Sequence, residues 1–151
     1  MRTARAQADL VLTPEAALRL WTDVSRWSSF VEGYARTLEL HPSWPDGGAR
    51  VVWESTPAGR GRVTEKVAER EGPDRFVTHV FEERLTGTQT FRVVESEGGS
   101  RAELSLEYRL AKYGPLGAVA DALFIRRAIR DSLRRTLFSF SVEAEEEAGL
   151  R

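Results

Sequence analysis

The chain contains no cysteine. That excludes disulfides, a thiol nucleophile, cysteine-ligated zinc and iron–sulfur clusters. Histidine is nearly absent as well. His41 and His79 are the only two, they are far apart, and neither stands in a ligand-spaced motif, so no metal site is expected. There is no apolar run near the roughly 18 residues that a transmembrane helix requires. The opening MRTARAQADL has no apolar signal core. An excess of one charge is also missing. With 22 basic and 23 acidic residues the formal net charge is −1, whereas a dedicated nucleic-acid binder carries a net basic surface. No phosphate loop, no Gly-x-Gly-x-x-Gly and no nucleophile-elbow serine occurs, and no cofactor is expected. Lysine is scarce: only Lys66 and Lys112 are lysine and all other basic residues are arginine, which fits the codon usage of a GC-rich genome. These absences point to a soluble cytoplasmic protein without a nucleic-acid partner or a transmembrane segment. They leave monomer and dimer open.

What is present is a single domain's worth of chain. At 151 residues and 41% hydrophobic content, it can bury close to 70% of its unfolded surface. No linker or internal repeat divides it, so residues 1–151 are read as one domain. Residues 2–11 alternate, with Ala4, Ala6, Ala8 and Leu10 on one face, as a half-buried strand does. Thr13-Pro14-Glu15 reads as a helix start, followed by Ala17, Leu18, Trp21 and Val24 at helical spacing. A second short helix is expected over 27–32, ended by Gly33. From residue 34 the period falls to two, giving strands near 34–41, 49–56, 61–70, 75–83, 87–95 and 101–110. The segments between them, such as Pro45-Asp46-Gly47-Gly48, Glu71-Gly72-Pro73-Asp74 and Glu97-Gly98-Gly99, are hairpin chemistry and imply an antiparallel sheet. Gly114-Pro115-Leu116-Gly117 opens a last helix that runs to about Glu146 and covers the apolar face of the sheet. The acidic tail from Glu143 to Glu147 opposes the helix dipole, so the last turns are expected to fray.

Several pieces of this order carry a resemblance. They are Thr13-Pro14-Glu15 through Trp21, Asp23 and Trp27-Ser28-Ser29-Phe30, Val63-Thr64-Glu65-Lys66-Val67, the Pro73-Asp74-Arg75-Phe76-Val77 turn into a strand, Gly87-Thr88-Gln89-Thr90-Phe91, and the Gly98-Gly99-Ser100-Arg101 turn. In order and spacing, over essentially the whole chain, they resemble the polyketide cyclase/dehydrase group of the START-like, birch-pollen-allergen-like superfamily. The resemblance implies an α+β helix-grip fold: a seven-stranded curled antiparallel sheet around a long C-terminal helix, with two short helices after the first strand. It also implies a cavity between sheet and helix for a hydrophobic small molecule such as a lipid, quinone or polyketide. A cyclase, aromatase or dehydratase working by substrate positioning and proton transfer is the alternative. An interaction protein with a vestigial cavity is a third.

Candidate lining residues follow from type and parity. Trp27, Phe30, Tyr34, Trp53, Phe81, Phe91 and Tyr108 are aromatics on the short helix or the strands. His79 faces the cavity if Val77 and Phe81 do, and the outside if Phe76, Thr78 and Val80 are inward; inward, it is the candidate for proton transfer. Glu65 shares a face with Val63 and Val67, where a carboxylate is costly unless paired. Gln89 shares the parity of Phe91 and offers a ligand hydrogen bond. In an enzyme, Tyr34, Tyr108 and an arginine join His79 as candidates. On the last helix, Leu116, Val119, Ala120 and Leu123 form one apolar stripe, and Ile129, Leu133, Leu137 and Phe140 another. A curved helix joining the two stripes passes Arg126 and Arg130, which either enter the cavity to hold a ligand carboxylate or Glu65, or snorkel to its rim.

Overall fold

The computed structural model describes residues 1–69, 72–111 and 118–150. Its elements run β1 (Arg2–Leu10), α1 (Pro14–Thr22), a 3-10 turn (Val24–Arg26), α2 (Trp27–Phe30), β2 (Tyr34–Leu40), β3 (Arg50–Ser55), β4 (Arg62–Val67), β5 (Arg75–Phe81), β6 (Leu85–Ser96), β7 (Gly99–Leu110) and α3 (Ala118–Glu147). The seven strands form one antiparallel sheet in the order β1-β7-β6-β5-β4-β3-β2. This is the helix-grip architecture read from the sequence, with α1 and α2 inserted between the two edge strands.

Local chemistry sets the boundaries. The Thr13 hydroxyl accepts from the Ala16 amide at 3.3 Å and Pro14 occupies the first helical position, where its missing N–H costs nothing. Asp23 closes α1 and caps the 3-10 turn through the Ser25 amide at 3.2 Å. Ser96 pairs with Gly99, so Glu97-Gly98 is a two-residue hairpin turn with Gly98 at φ +80°. Leu116 and the expected helix opening at 114–117 lie outside the described residues, as do Arg70 and Glu71.

The core lies between the sheet and the helices. Trp21 of α1 stacks on Phe91 of β6 at 4.4 Å, nearly parallel, and both rings meet Phe140 of α3 edge-on; Phe30 of α2 completes the cluster. Leu133, Leu137, Phe140 and Ala144 are the buried face of α3. Of the other predicted stripe, Leu123 is 60% exposed and so is not core, and the side chains of Val119 and Ala120 lie outside the described residues. The C-terminal turn, where fraying was expected, is helical as far as Glu147. Arg26 pairs with Glu143 at 3.0 Å and Glu147 at 2.7 Å, and Gly149 at φ +76° closes the end with the Leu150 amide on the Glu145 carbonyl. Two ion pairs offset the unfavourable dipole that the acidic tail meets. Among the described residues, no helix is long and apolar enough to cross a membrane.

Candidate functional site

Where the inner face of β6 and β7 meets the first half of α3, the packing opens. A cleft of about 370 Å³ is walled by Leu85, Leu106 and Leu110 of the sheet and by Phe124, Ile125, Ala128, Ile129, Ser132 and Leu133 of α3. One end is polar, built from Arg60 in the β3–β4 loop and Glu82 and Arg84 in the β5–β6 turn. Gln89 is its polar group farther along β6. An apolar wall with a few fixed polar groups is how small-molecule sites are made. A larger concavity of about 420 Å³, between α1, the β2–β3 loop and the β4–β5 turn, has Glu15, Arg19, Asp46, Glu69 and Arg75 on its walls. The cleft under α3 is the better apolar site.

Arg60 is held on two sides. Its Nε donates to Glu82 at 2.5 Å, and its guanidinium lies over the Trp53 ring at 5.1 Å. Behind Trp53 is Glu65, only 6% exposed. The Trp53 indole N–H donates to its Oε2 at 2.8 Å and the Thr78 hydroxyl to its Oε1 at 3.1 Å. Burial pushes the Glu65 carboxyl above the usual carboxylate range, against the opposing pull of the Trp53 hydrogen bond, the Arg60 charge and the Thr78 hydrogen bond. Tyr108 sits on β7 between the cleft-lining Leu106 and Leu110, opposite Arg2. Its hydroxyl is buried and has no hydrogen-bond partner among the described residues, and burial raises its pKa.

The inward parity of β5 is the second of the two alternatives. Thr78 and Val80 are buried, His79 is exposed with its Nδ1 3.3 Å from the Thr88 hydroxyl, and Phe81 is 48% exposed. His79 and Phe81 therefore do not line the cavity, and His79 cannot meet a ligand there. The reason is legible in the pairing: Thr78, not His79, is needed inward as a donor to Glu65. Arg126 and Arg130 also lie elsewhere. Both are exposed and line a separate groove with Thr3, Ala4 and Arg5 of β1, so neither enters the cleft nor pairs with Glu65. Leu123, exposed, is not among its walls.

Trp27, Phe30, Phe91 and Trp53 are core aromatics rather than cleft walls. The Trp27 indole donates to the Trp21 carbonyl at 2.8 Å, and Phe30 and Phe91 belong to the Trp21 cluster. Tyr34, half-buried, packs on Trp53 and shares a hydrogen bond with the Thr37 hydroxyl. Glu65 shares the inward face of Val63 and Val67, and its partners are an indole and a hydroxyl rather than an arginine. Of the candidate residues, Gln89 is the one whose side chain lines the cleft. Leu106 and Leu110 alternate with polar residues in the sequence of β7, in step with Ala102, Leu104 and Tyr108, which makes their shared inward face legible. Arg60 and Arg84 sit in loops, where periodicity carries no signal, and were missed.

Comparison with known proteins accords with this geometry. A family profile described as polyketide cyclase / dehydrase and lipid transport matches residues 1–145. No curated protein matches the chain. Among solved structures, TTHA0849 of Thermus thermophilus superposes with a TM-score of 0.75 at 17% identity, covering 97% of this chain and 99% of that one. The di-domain ARO/CYC StfQ from the steffimycin biosynthetic pathway gives 0.73 at 15% identity, covering 97% of this chain and 51% of that one. SA2116 of Staphylococcus aureus, a protein of unknown function, gives 0.71 at 9% identity, covering 99% and 96%. At these identities the superpositions speak for the fold alone.

Proposed function

The chain belongs to the polyketide cyclase / dehydrase and lipid transport family, and from that premise we propose that it binds a hydrophobic small molecule, a lipid, quinone, polyketide or similar apolar metabolite, in the cleft beneath α3. The observation that carries this reading is the cleft itself: about 370 Å³, with leucine and isoleucine from both sheet and helix and few polar groups. A ligand bound there stabilises the folded state by mass action, by about 2.7 kcal/mol at a concentration of 100 Kd. For a domain of this size that is a rise of roughly 5–10 °C in Tm. The test is a melting screen against lipids, quinones and aromatics, with native mass spectrometry of the purified protein to detect a copurified ligand. A shift of that order supports the reading; a flat response across the panel contradicts it.

Tyr108 favours a second reading, that of a cyclase, aromatase or dehydratase. Like any phenol its hydroxyl is protonated at neutral pH, and burial disfavours the phenolate further, so it offers a hydrogen bond rather than a base. The hydroxyl is buried without a partner among the described residues and its neighbours Leu106 and Leu110 line the cleft, so this reading requires a substrate to open the cleft as far as Tyr108 before the hydroxyl orients a carbonyl. Tyr108→Phe then lowers turnover of a polyketide substrate while leaving stability nearly unchanged; unchanged turnover removes Tyr108 from any such role.

A further inference from the structure

Resting on the reading that the cleft holds an apolar ligand, we propose that this ligand carries a carboxylate head, held at the polar end by Arg60 and Arg84. The cations come from two separate turns, the β3–β4 loop and the β5–β6 turn, and the fold brings both to the same end of the cleft. Arg60 is already ordered. Its Nε is engaged by Glu82 and its face by Trp53, while neither Nη group has a partner among the described residues. A guanidinium fixed with its outer N–H groups free is preorganised for a carboxylate, because the side-chain entropy of ordering it is already spent. Arg84 makes no ion pair among the described residues, and its carbonyl is anchored by the Ala111 amide at 2.8 Å.

The acids around these cations do not cancel them. Glu82 is the one carboxylate lining the cleft, and it faces Arg60. Glu83, on the same turn, is exposed and is not part of the wall. Glu65 lies behind Trp53, buried, where its charged form is disfavoured. The lining therefore sets two guanidiniums against one carboxylate, and a single anionic head brings the end to neutrality. From there the wall is apolar. Leu85 and Gln89 lie four residues apart on β6, about 13 Å at strand rise, which sets the run from head to the Gln89 amide. An acid with a chain of medium length fits both features.

The experiment compares decanoate with 1-decanol, which share a chain and differ in the head, by calorimetry or melting shift on the intact protein. Decanoate is expected to bind at least tenfold more tightly. Arg84→Gln, at an exposed site where folding is not at stake, is expected to remove about tenfold of decanoate affinity and leave decanol unchanged. That loss should shrink at high salt, which screens an exposed charge pair. Equal binding of acid and alcohol, or an Arg84→Gln variant that still prefers the acid as strongly, overturns the head-group assignment while leaving the cleft reading intact. If neither decyl compound binds but a lipid, quinone or aromatic does, the head-group proposal falls alone. If nothing binds, both fall.

Discussion

At the scale of single residues, Glu65 is a carboxyl only 6% exposed and held by two hydrogen bonds. A carboxyl in an apolar interior is tolerated because each oxygen receives a donor, one indole and one hydroxyl. Its pKa is raised by burial above the ordinary 4.5. The folded state then holds a proton that the unfolded chain releases first. Stability from this group is complete below the unfolded pKa and is lost as pH rises through the raised folded value. Glu65→Gln removes the titration and keeps the shape. Urea denaturation at about pH 4.5 and about pH 8 should show wild type losing stability relative to the variant as pH rises; parallel profiles would show that burial does not control this carboxyl. At the exposed His79, His79→Ala should change stability by less than about 0.5 kcal/mol and leave ligand affinity unaltered. A variant that loses binding would place the imidazole in the site after all.

These two residues also show how far the sequence is legible. Parity along β4 put Glu65 inward because the other face, Thr64, Lys66 and Ala68, makes a poor core. Parity along β5 left His79 open because both faces carry apolar groups, and only the neighbouring strand's need for Thr78 decides it. Of the aromatic rings read as lining a cavity, Trp27, Phe30, Trp53, Phe91 and Tyr108 are buried in the core, Tyr34 is half-buried and Phe81 is exposed. Whether a ring packs on another ring or lines a void depends on distances across the fold, which the one-dimensional pattern does not contain.

At the scale of elements, two packing devices hold the sheet and helices together. The first is the ring cluster that clamps α1 and α3 onto β6. Phe91→Ala removes the ring stacked on Trp21 and should cost about 3–5 kcal/mol in denaturant unfolding. The second is the tight β6–β7 hairpin against the end of β1. Gly99 has φ +153°, and a Cβ there would stand 2.1 Å from the Leu10 carbonyl oxygen, a backbone atom that cannot swing away. Gly99→Ala should therefore cost more than about 2 kcal/mol; a neutral variant would mean that the hairpin and β1 shift without penalty. Turn chemistry made the hairpins readable in order and number, with strand ends within three residues. The helix stripes were less so. The second stripe, Leu133, Leu137 and Phe140, is buried, whereas Leu123 and its neighbour Phe124 are 60% and 74% exposed. Periodicity identifies an apolar residue, but not whether the sheet extends far enough to cover it.

At the scale of the whole molecule, the sheet and α3 close tightly at the C-terminal half of the helix and leave an apolar space under its N-terminal half. Its walls are apolar, with Arg60, Glu82, Arg84, Gln89 and Ser132 as the polar groups, and on the proposed reading these define what the space accepts. The direct test is to fill it. Ala128 lines the cleft from α3 and is exposed, so Ala128→Trp should occupy the space with little effect on folding. Titration of wild type and variant with the fluorescent apolar acid 1-anilinonaphthalene-8-sulfonate measures the result. The account predicts saturable one-site binding to wild type and a loss of at least about tenfold, or about 1.4 kcal/mol, in the variant. Equal binding by a folded Ala128→Trp protein would contradict it.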